Sequence, residues 1–175
     1  MTGSTLFSPA PYHILSYGTL LGTTFFHTFV GGIVSFQVLA RPQFSLLMAK
    51  LFPVYFSMQT ALPVVLALTF PGDSFTQSGF AGVLENTSVL YPIAATFLSA
   101  LANLAVVGPA TTKVMDQRKI QERKDGKKSY DAPPHSQEMT ALNKRFSVLH
   151  GISSLLNLGT FIGSVAYGFN LASRL

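Results

Sequence analysis

The 12 Lys and Arg and the 7 Asp and Glu of this chain all fall in four short segments, 41–50, 73–85, 113–145 and 174–175. The blocks between them, 1–40, 51–72, 86–112 and 146–173, carry no charge, and each is longer than the ~18 residues at which a membrane-spanning helix becomes the default reading. Lipid offers no partner for a bare peptide group, so such blocks cross it as helices that satisfy their own backbone. The expected fold is therefore all-α: a polytopic membrane protein built as a four-transmembrane-helix bundle, a single membrane domain over 1–175. Charged residues make up 11% of the chain against roughly 25% in a soluble domain, which excludes a soluble reading.

The spans fall at about 14–39, 52–70, 87–107 and 146–171. Arg41-Pro42 closes the first, Pro71-Gly72-Asp73 forms a turn after the second, and Gly108-Pro109 is a stop signal after the third. Phe44, Leu47, Met48 and Leu51 recur at helical spacing behind Pro42, which predicts a short interfacial helix over 42–51. Pro63 should kink the second span, because it removes a backbone hydrogen bond. The 113–145 segment, with nine basic and five acidic residues and breaks at Asp125-Gly126 and Pro133-Pro134, is expected to be a solvated loop without a core. After it, Ser136 is the expected N-cap of a helix whose stripe Met139, Leu142 and Phe146 leads into the fourth span.

Charge also predicts orientation. The 41–50 and 113–145 connections hold 11 of the 12 Lys and Arg, which places them in the cytoplasm and both termini on the lumenal or exoplasmic side. The net charge of +5 and pI near 9.6 are then a topology signal rather than a nucleic-acid footprint. Membrane lipids are the expected partners, with a homodimer or a membrane-protein partner beside them, and no nucleic acid. The N-terminus lacks the basic stretch of a signal peptide, and its apolar run is too long for one. Ser173-Arg174-Leu175 is similar to a peroxisomal tripeptide, but Arg174 is explained as a residue reaching the interface from a helix end. Asn86-Thr87-Ser88 is a glycosylation sequon set against the third span.

Inside lipid, small residues let helices approach closely. Gly18 and Gly22 in the first span and Gly159 and Gly163 in the fourth both fit G-x-x-x-G, so spans one and four are expected to pack together, with homodimerisation as the alternative. Polar side chains at depth are costly unless paired or wetted. His150, Ser153, Ser154 and Asn157 are spaced to line one face of the fourth span, and Gln59 and Asn103 are candidates to meet it. That face is either a helix-to-helix hydrogen-bond cluster or a site for a substrate, a lipid headgroup or an ion.

With no cysteine in the chain, thiolate catalysis, disulfides, iron–sulfur clusters and cysteine zinc sites are excluded. His13 lies more than ~20 Å and His27 roughly 15 Å in depth from His150 at a rise of ~1.5 Å per residue, so neither pair can share a metal or haem iron, which disfavours bis-histidine haem. No span carries a carboxylate pair for acid–base chemistry. Catalytic, metal and cofactor-binding residues are accordingly expected to be none, and a haem-containing membrane oxidoreductase is the weakest alternative.

Lys50-Leu51-Phe52-Pro53-Val54-Tyr55-Phe56 and the stretch His150-Gly151-Ile152-Ser153-Ser154-Leu155-Leu156-Asn157-Leu158-Gly159 resemble two signatures of the transmembrane protein 205-like family. Tyr12-His13, Asn103, Pro109-Ala110-Thr111-Thr112, Asn143, Arg145 and Phe146 extend the likeness over most of the chain. The resemblance implies a four-span protein of the endomembrane system or plasma membrane, linked to vesicle traffic, and supplies no reaction. The expected function is that of a non-enzymatic membrane protein, small transporter-like or trafficking-associated, with a structural or scaffold subunit of a membrane complex as the alternative.

Overall fold

The computed structural model describes residues 7–72 and 77–173, and no strand occurs among them. Four of the helical stretches are long and apolar enough to cross a membrane: Pro9–Val38, Arg41–Leu68, Thr87–Asp125 and Gln137–Ala172. Large side chains such as Leu155 and Phe169, at 69% and 75% exposure, stand on the outside of the bundle, where lipid rather than water is their favourable surrounding. The protein is thus an all-helical, polytopic membrane protein.

The first span begins as α1 (Pro9–Phe26) behind the extended Ser8, with Pro9 at the position where a missing N–H costs nothing. It passes through a π-helical segment, His27–Gly31, into α2 (Gly32–Val38). Leu39 and Ala40 are extended and make the turn into α3 (Arg41–Leu68). The 42–51 stretch is therefore not a separate interfacial helix. It is the first part of a 28-residue helix about 42 Å long, which outreaches a ~30 Å hydrocarbon core without a break. Pro53 and Pro63 both lie inside this helix.

The third span also runs past its expected stop. α5 (Thr87–Ala102) continues through a second π-helical segment, Asn103–Val107, into α6 (Gly108–Asp125). Pro109 has no N–H, and its ring presses on the carbonyl four residues back. The wider π turn, in which the Gly108 N–H reaches the Asn103 carbonyl, accommodates that and lets the helix proceed. Gly108 suits the tight closure, since a Cβ there would stand 2.7 Å from the same carbonyl oxygen.

The 113–145 segment is accordingly a folded hairpin rather than a coreless loop. α6 ends at Gly126 in the left-handed conformation, and α7 (Gln137–Ala172) runs without interruption into the fourth span. Ser136 caps α7 as expected, its Oγ accepting the Met139 N–H at 3.1 Å while donating to Asp125 at 2.7 Å. Val114 and Met139 are both fully buried where α6 and α7 pack. Glu122 accepts from the Ser129 N–H and hydroxyl at 3.0 and 2.5 Å and pairs with Lys128 at 3.6 Å. The Arg118 guanidinium lies 4.5 Å from the centre of the Phe146 ring, a cation–π contact in which apolar and charged residues share one surface.

At the opposite end a short helix, α4 (Gly79–Glu85), sits in the connection between the second and third spans. Its Val83 joins Leu20, Leu66, Phe70, Val89, Ile93 and Leu171 in the main apolar core. Asp73 of the expected turn and residues 174–175 of the terminal tripeptide lie outside the described residues. Asn86 precedes α5, and its side-chain oxygen accepts from Ser88 at 2.7 Å, so two members of the sequon are bonded to each other.

Helix packing departs from the glycine expectation in one half. Gly159 and Gly163 face α5, with the Ser99 hydroxyl and the Thr96 hydroxyl beside them, so the fourth span uses its motif on the third span. Gly18 and Gly22 are exposed, and a Cβ at either would meet no described atom within 4 Å. Spans one and four do touch, but through rings: Phe29 on Phe161 at 5.1 Å and Tyr17 on Tyr167 at 5.8 Å.

Candidate functional site: two polar layers

Two buried polar layers cross the bundle. The first joins three spans near the amino end of α1. The His13 ring is 1% exposed, with Nδ1 2.9 Å from the Thr69 hydroxyl and Nε2 2.6 Å from the Tyr167 hydroxyl. Thr69 spends its single hydrogen on the Val65 carbonyl at 2.7 Å, so its oxygen must accept from His13. Nδ1 therefore carries the proton, and Nε2 accepts from Tyr167. Every hydrogen in this chain has a destination, and the layer is closed.

The second layer lies nearer the hairpin. From His13 to His27, from Thr69 to Tyr55 and from Tyr167 to Ser153 the separation is 14 residues in each case, roughly 21 Å along a helix. Three spans thus reach the same depth together. Span one supplies Thr24 and His27; the His27 ring packs on Tyr55 at 4.4 Å and on Phe52 at 5.1 Å. Span two supplies Gln59, whose Nε2 donates to the Tyr55 hydroxyl at 2.8 Å and to the Thr24 hydroxyl at 3.2 Å. Span three supplies Asn103, whose Nδ2 donates to the Ser153 carbonyl at 3.3 Å. Span four supplies Asn157, one turn beyond Ser153 on the same face of α7. Both π-helical segments begin in this layer, one at His27 and the other at Asn103, and such segments recur at functional positions.

The two layers differ in how their polar atoms are satisfied. His27 Nε2, Gln59 Oε1, Asn103 Oδ1 and Asn157 Oδ1 are buried and find no hydrogen-bond partner among the described residues. Each such atom costs about 1–3 kcal/mol; a carboxamide oxygen can only accept, so a layer holding Gln59 Oε1, Asn103 Oδ1 and Asn157 Oδ1 unpartnered is incomplete without something that donates to it. Between the layers, Leu20, Pro63, Leu66 and Ile93, with Thr96, Ser164 and Tyr167, line a cavity of about 10 Å³, room for about one water molecule.

Of the residues expected on the polar face, Gln59, Asn103 and Asn157 are buried, and Ser153 contributes its carbonyl. His150 and Ser154 are exposed: the His150 ring stacks on Phe146 at 5.8 Å, and the Ser154 hydroxyl returns to the His150 carbonyl at 2.9 Å. The two signature stretches split in the same way. Phe52, Tyr55 and Phe56 form one ring cluster, with Phe52 stacked on Phe56 at 5.3 Å, whereas Lys50, Pro53 and Gly151 are exposed. Sequence reasoning weighed His13 and His27 only as haem ligands, not as members of a polar face, and left out Thr69, Tyr167 and Thr24. Thr24, His27 and Thr28 stand at i, i+3 and i+4 in the first span, a spacing that marks a shared face. Tyr167 and Thr69 are single polar residues in apolar runs and give no such signal.

A four-span membrane helical bundle with a layer of buried carboxamides is the class these features define. Residues 15–120 match the family described as a domain of unknown function, DUF4149, and the chain belongs to that family. The matched stretch contains the contributions of spans one, two and three to the second layer. The chain is also 33% identical to the Xanthocillin biosynthesis cluster protein D of Aspergillus fumigatus, over 94% of this chain and 90% of the relative. No solved structure matches.

Proposed function

We propose that this protein is a non-enzymatic integral membrane protein, transporter-like or associated with trafficking, whose second polar layer receives a small molecule. The observation that carries this reading is the set of buried carboxamide oxygens without donors, supplied by three spans at one depth. The layer contains no carboxylate and no Lys or Arg, and its carboxamides neither take up nor release protons near neutral pH, which supports holding a group there; His27 is its one imidazole. The relative's membership of a biosynthesis cluster supports a role beside small-molecule metabolism, and the likeness to the 205-like family supports a place in the endomembrane system or plasma membrane. Reconstitution of the purified full chain in liposomes tests the reading. Uptake or release of a solute that falls several-fold in Asn157→Leu is the expected result; no flux with any small solute, together with stable co-purification of a membrane partner, would turn the assignment to a scaffold subunit.

One feature favours that second reading. The first span has the smallest buried share of the four, at 11% of its most apolar stretch, and its Gly18 and Gly22 lie on the exposed side. A second copy of the chain or another membrane protein fits that free face.

In the proposed orientation the α6–α7 hairpin and the α2–α3 turn face the cytoplasm, and the amino end of α1 and the carboxyl end of α7 face the lumen or exterior. Acceptor sites for N-glycosylation inserted before Pro9 should be modified, and sites inserted near Ser129 should stay unmodified. Modification at Ser129 alone would reverse the orientation.

A further inference from the structure

We infer that the second polar layer takes the hydrogen-bond-donating head of a small ligand, an ammonium or hydroxyl group, and rejects carboxylates. This rests on the reading of the layer as a binding site and adds its chemical class. Asn103 fixes the sign of the site. Its Nδ2 faces the Ser153 carbonyl at 3.3 Å, a group that accepts and never donates, so the amide cannot be turned round and its buried oxygen is the end left open. Asn157 leaves its side-chain oxygen open as well, at 8% residue exposure. Gln59 is fully buried and its amide bonds the Tyr55 and Thr24 hydroxyls; hydroxyls both donate and accept, so the sign of the site rests on Asn103.

The open Asn103 oxygen, its orientation fixed by the Ser153 carbonyl, attracts a donor and repels an anion, and no Lys or Arg lies in any of the charge-free blocks to offset a carboxylate. The Phe52 and Tyr55 rings packed on His27 add π faces to the same layer, which favour an ammonium further. The two π-helical segments explain why the site lies at this depth. Each widens its helix from a layer residue onward, and each is closed by a glycine N–H, Gly32 on the His27 carbonyl and Gly108 on the Asn103 carbonyl.

The test uses the full chain in phosphatidylcholine nanodiscs at neutral pH, with its thermal midpoint followed by circular dichroism. Butylammonium and 1-butanol should raise the midpoint with rising concentration, and butyrate should not. Asn103→Leu should weaken the apparent affinity for butylammonium about tenfold, the loss of one hydrogen bond to a buried partner, while keeping the helical spectrum. Asn157→Leu, at a less enclosed position, gives the same readout should Asn103→Leu fail to fold. Replacing part of the phosphatidylcholine by phosphatidylethanolamine separates the sources. A raised midpoint that Asn157→Leu abolishes identifies a bilayer lipid as the donor, and an unchanged midpoint with a butylammonium response identifies a soluble ligand. Stabilisation by butyrate alone overturns the ligand class and leaves the layer as a binding site. No response to any probe, with Asn103→Leu and Asn157→Leu both more stable than the parent, overturns the site as well.

Discussion

Gly163→Leu is expected to prevent the bundle from assembling, whereas Gly22→Leu leaves it intact. A Cβ alone at position 163 would stand 2.6 Å from the Thr96 hydroxyl and 3.1 Å from the Pro92 carbonyl, and backbone cannot swing aside as the end of a long side chain does. The third and fourth spans must then separate along their whole contact, which is the most extensive between spans in the fold. Overpacking in a soluble core costs about 1–3 kcal/mol. The cost is higher where helix association depends on close backbone approach and no hydrophobic force opposes separation in lipid. Thermal unfolding and size-exclusion profiles of the detergent-solubilised variants report the difference. A Gly163→Leu protein as stable as the parent would remove close packing of α5 on α7 from the account of the fold.

The contrast between these two glycines marks what the sequence could and could not convey. Both sit in G-x-x-x-G, and nothing in the local pattern distinguishes the motif that meets a helix from the one that faces lipid. Span number, the Ser136 cap and the continuity of α7 were legible, because each depends on charge, on one side chain or on a hydrophobic run. The length of α3 and the passage of the third span through Gly108-Pro109 were not. A proline announces a missing hydrogen bond, but whether the helix stops or widens into a π turn depends on neighbours such as Phe56, whose ring comes within 3.7 Å of a Cβ built at Gly108. The second layer was half legible. Gln59, Asn103 and Asn157 stand out as carboxamides in apolar runs, while His150 follows the same spacing and is exposed, since it lies two turns nearer the hairpin.

Tyr167→Phe should destabilise the bundle by about 1–3 kcal/mol, because it removes the donor to a His13 nitrogen buried from both water and lipid. His13→Leu, which breaks the bonds to Thr69 and Tyr167 together, should cost at least as much. The double variant should cost less than the two singles summed, since removing both partners leaves one fewer polar atom stranded. Equilibrium unfolding of the three variants in mixed micelles measures the coupling, and strict additivity would show that His13 and Tyr167 do not act as a unit. The hydrogen-bond direction deduced from Thr69 makes a second demand on the same residue: nitrogen-15 spectra of labelled histidine should show the proton of His13 on Nδ1. With no buried polar atom of His13, Thr69 or Tyr167 left without a partner, this layer ties spans one, two and four together and leaves no unmet group for a ligand. The second layer, about 21 Å away, has the opposite character. Loss of His13 should therefore lower stability without changing which probes bind, and loss of Asn103 should change which probes bind out of proportion to its effect on stability.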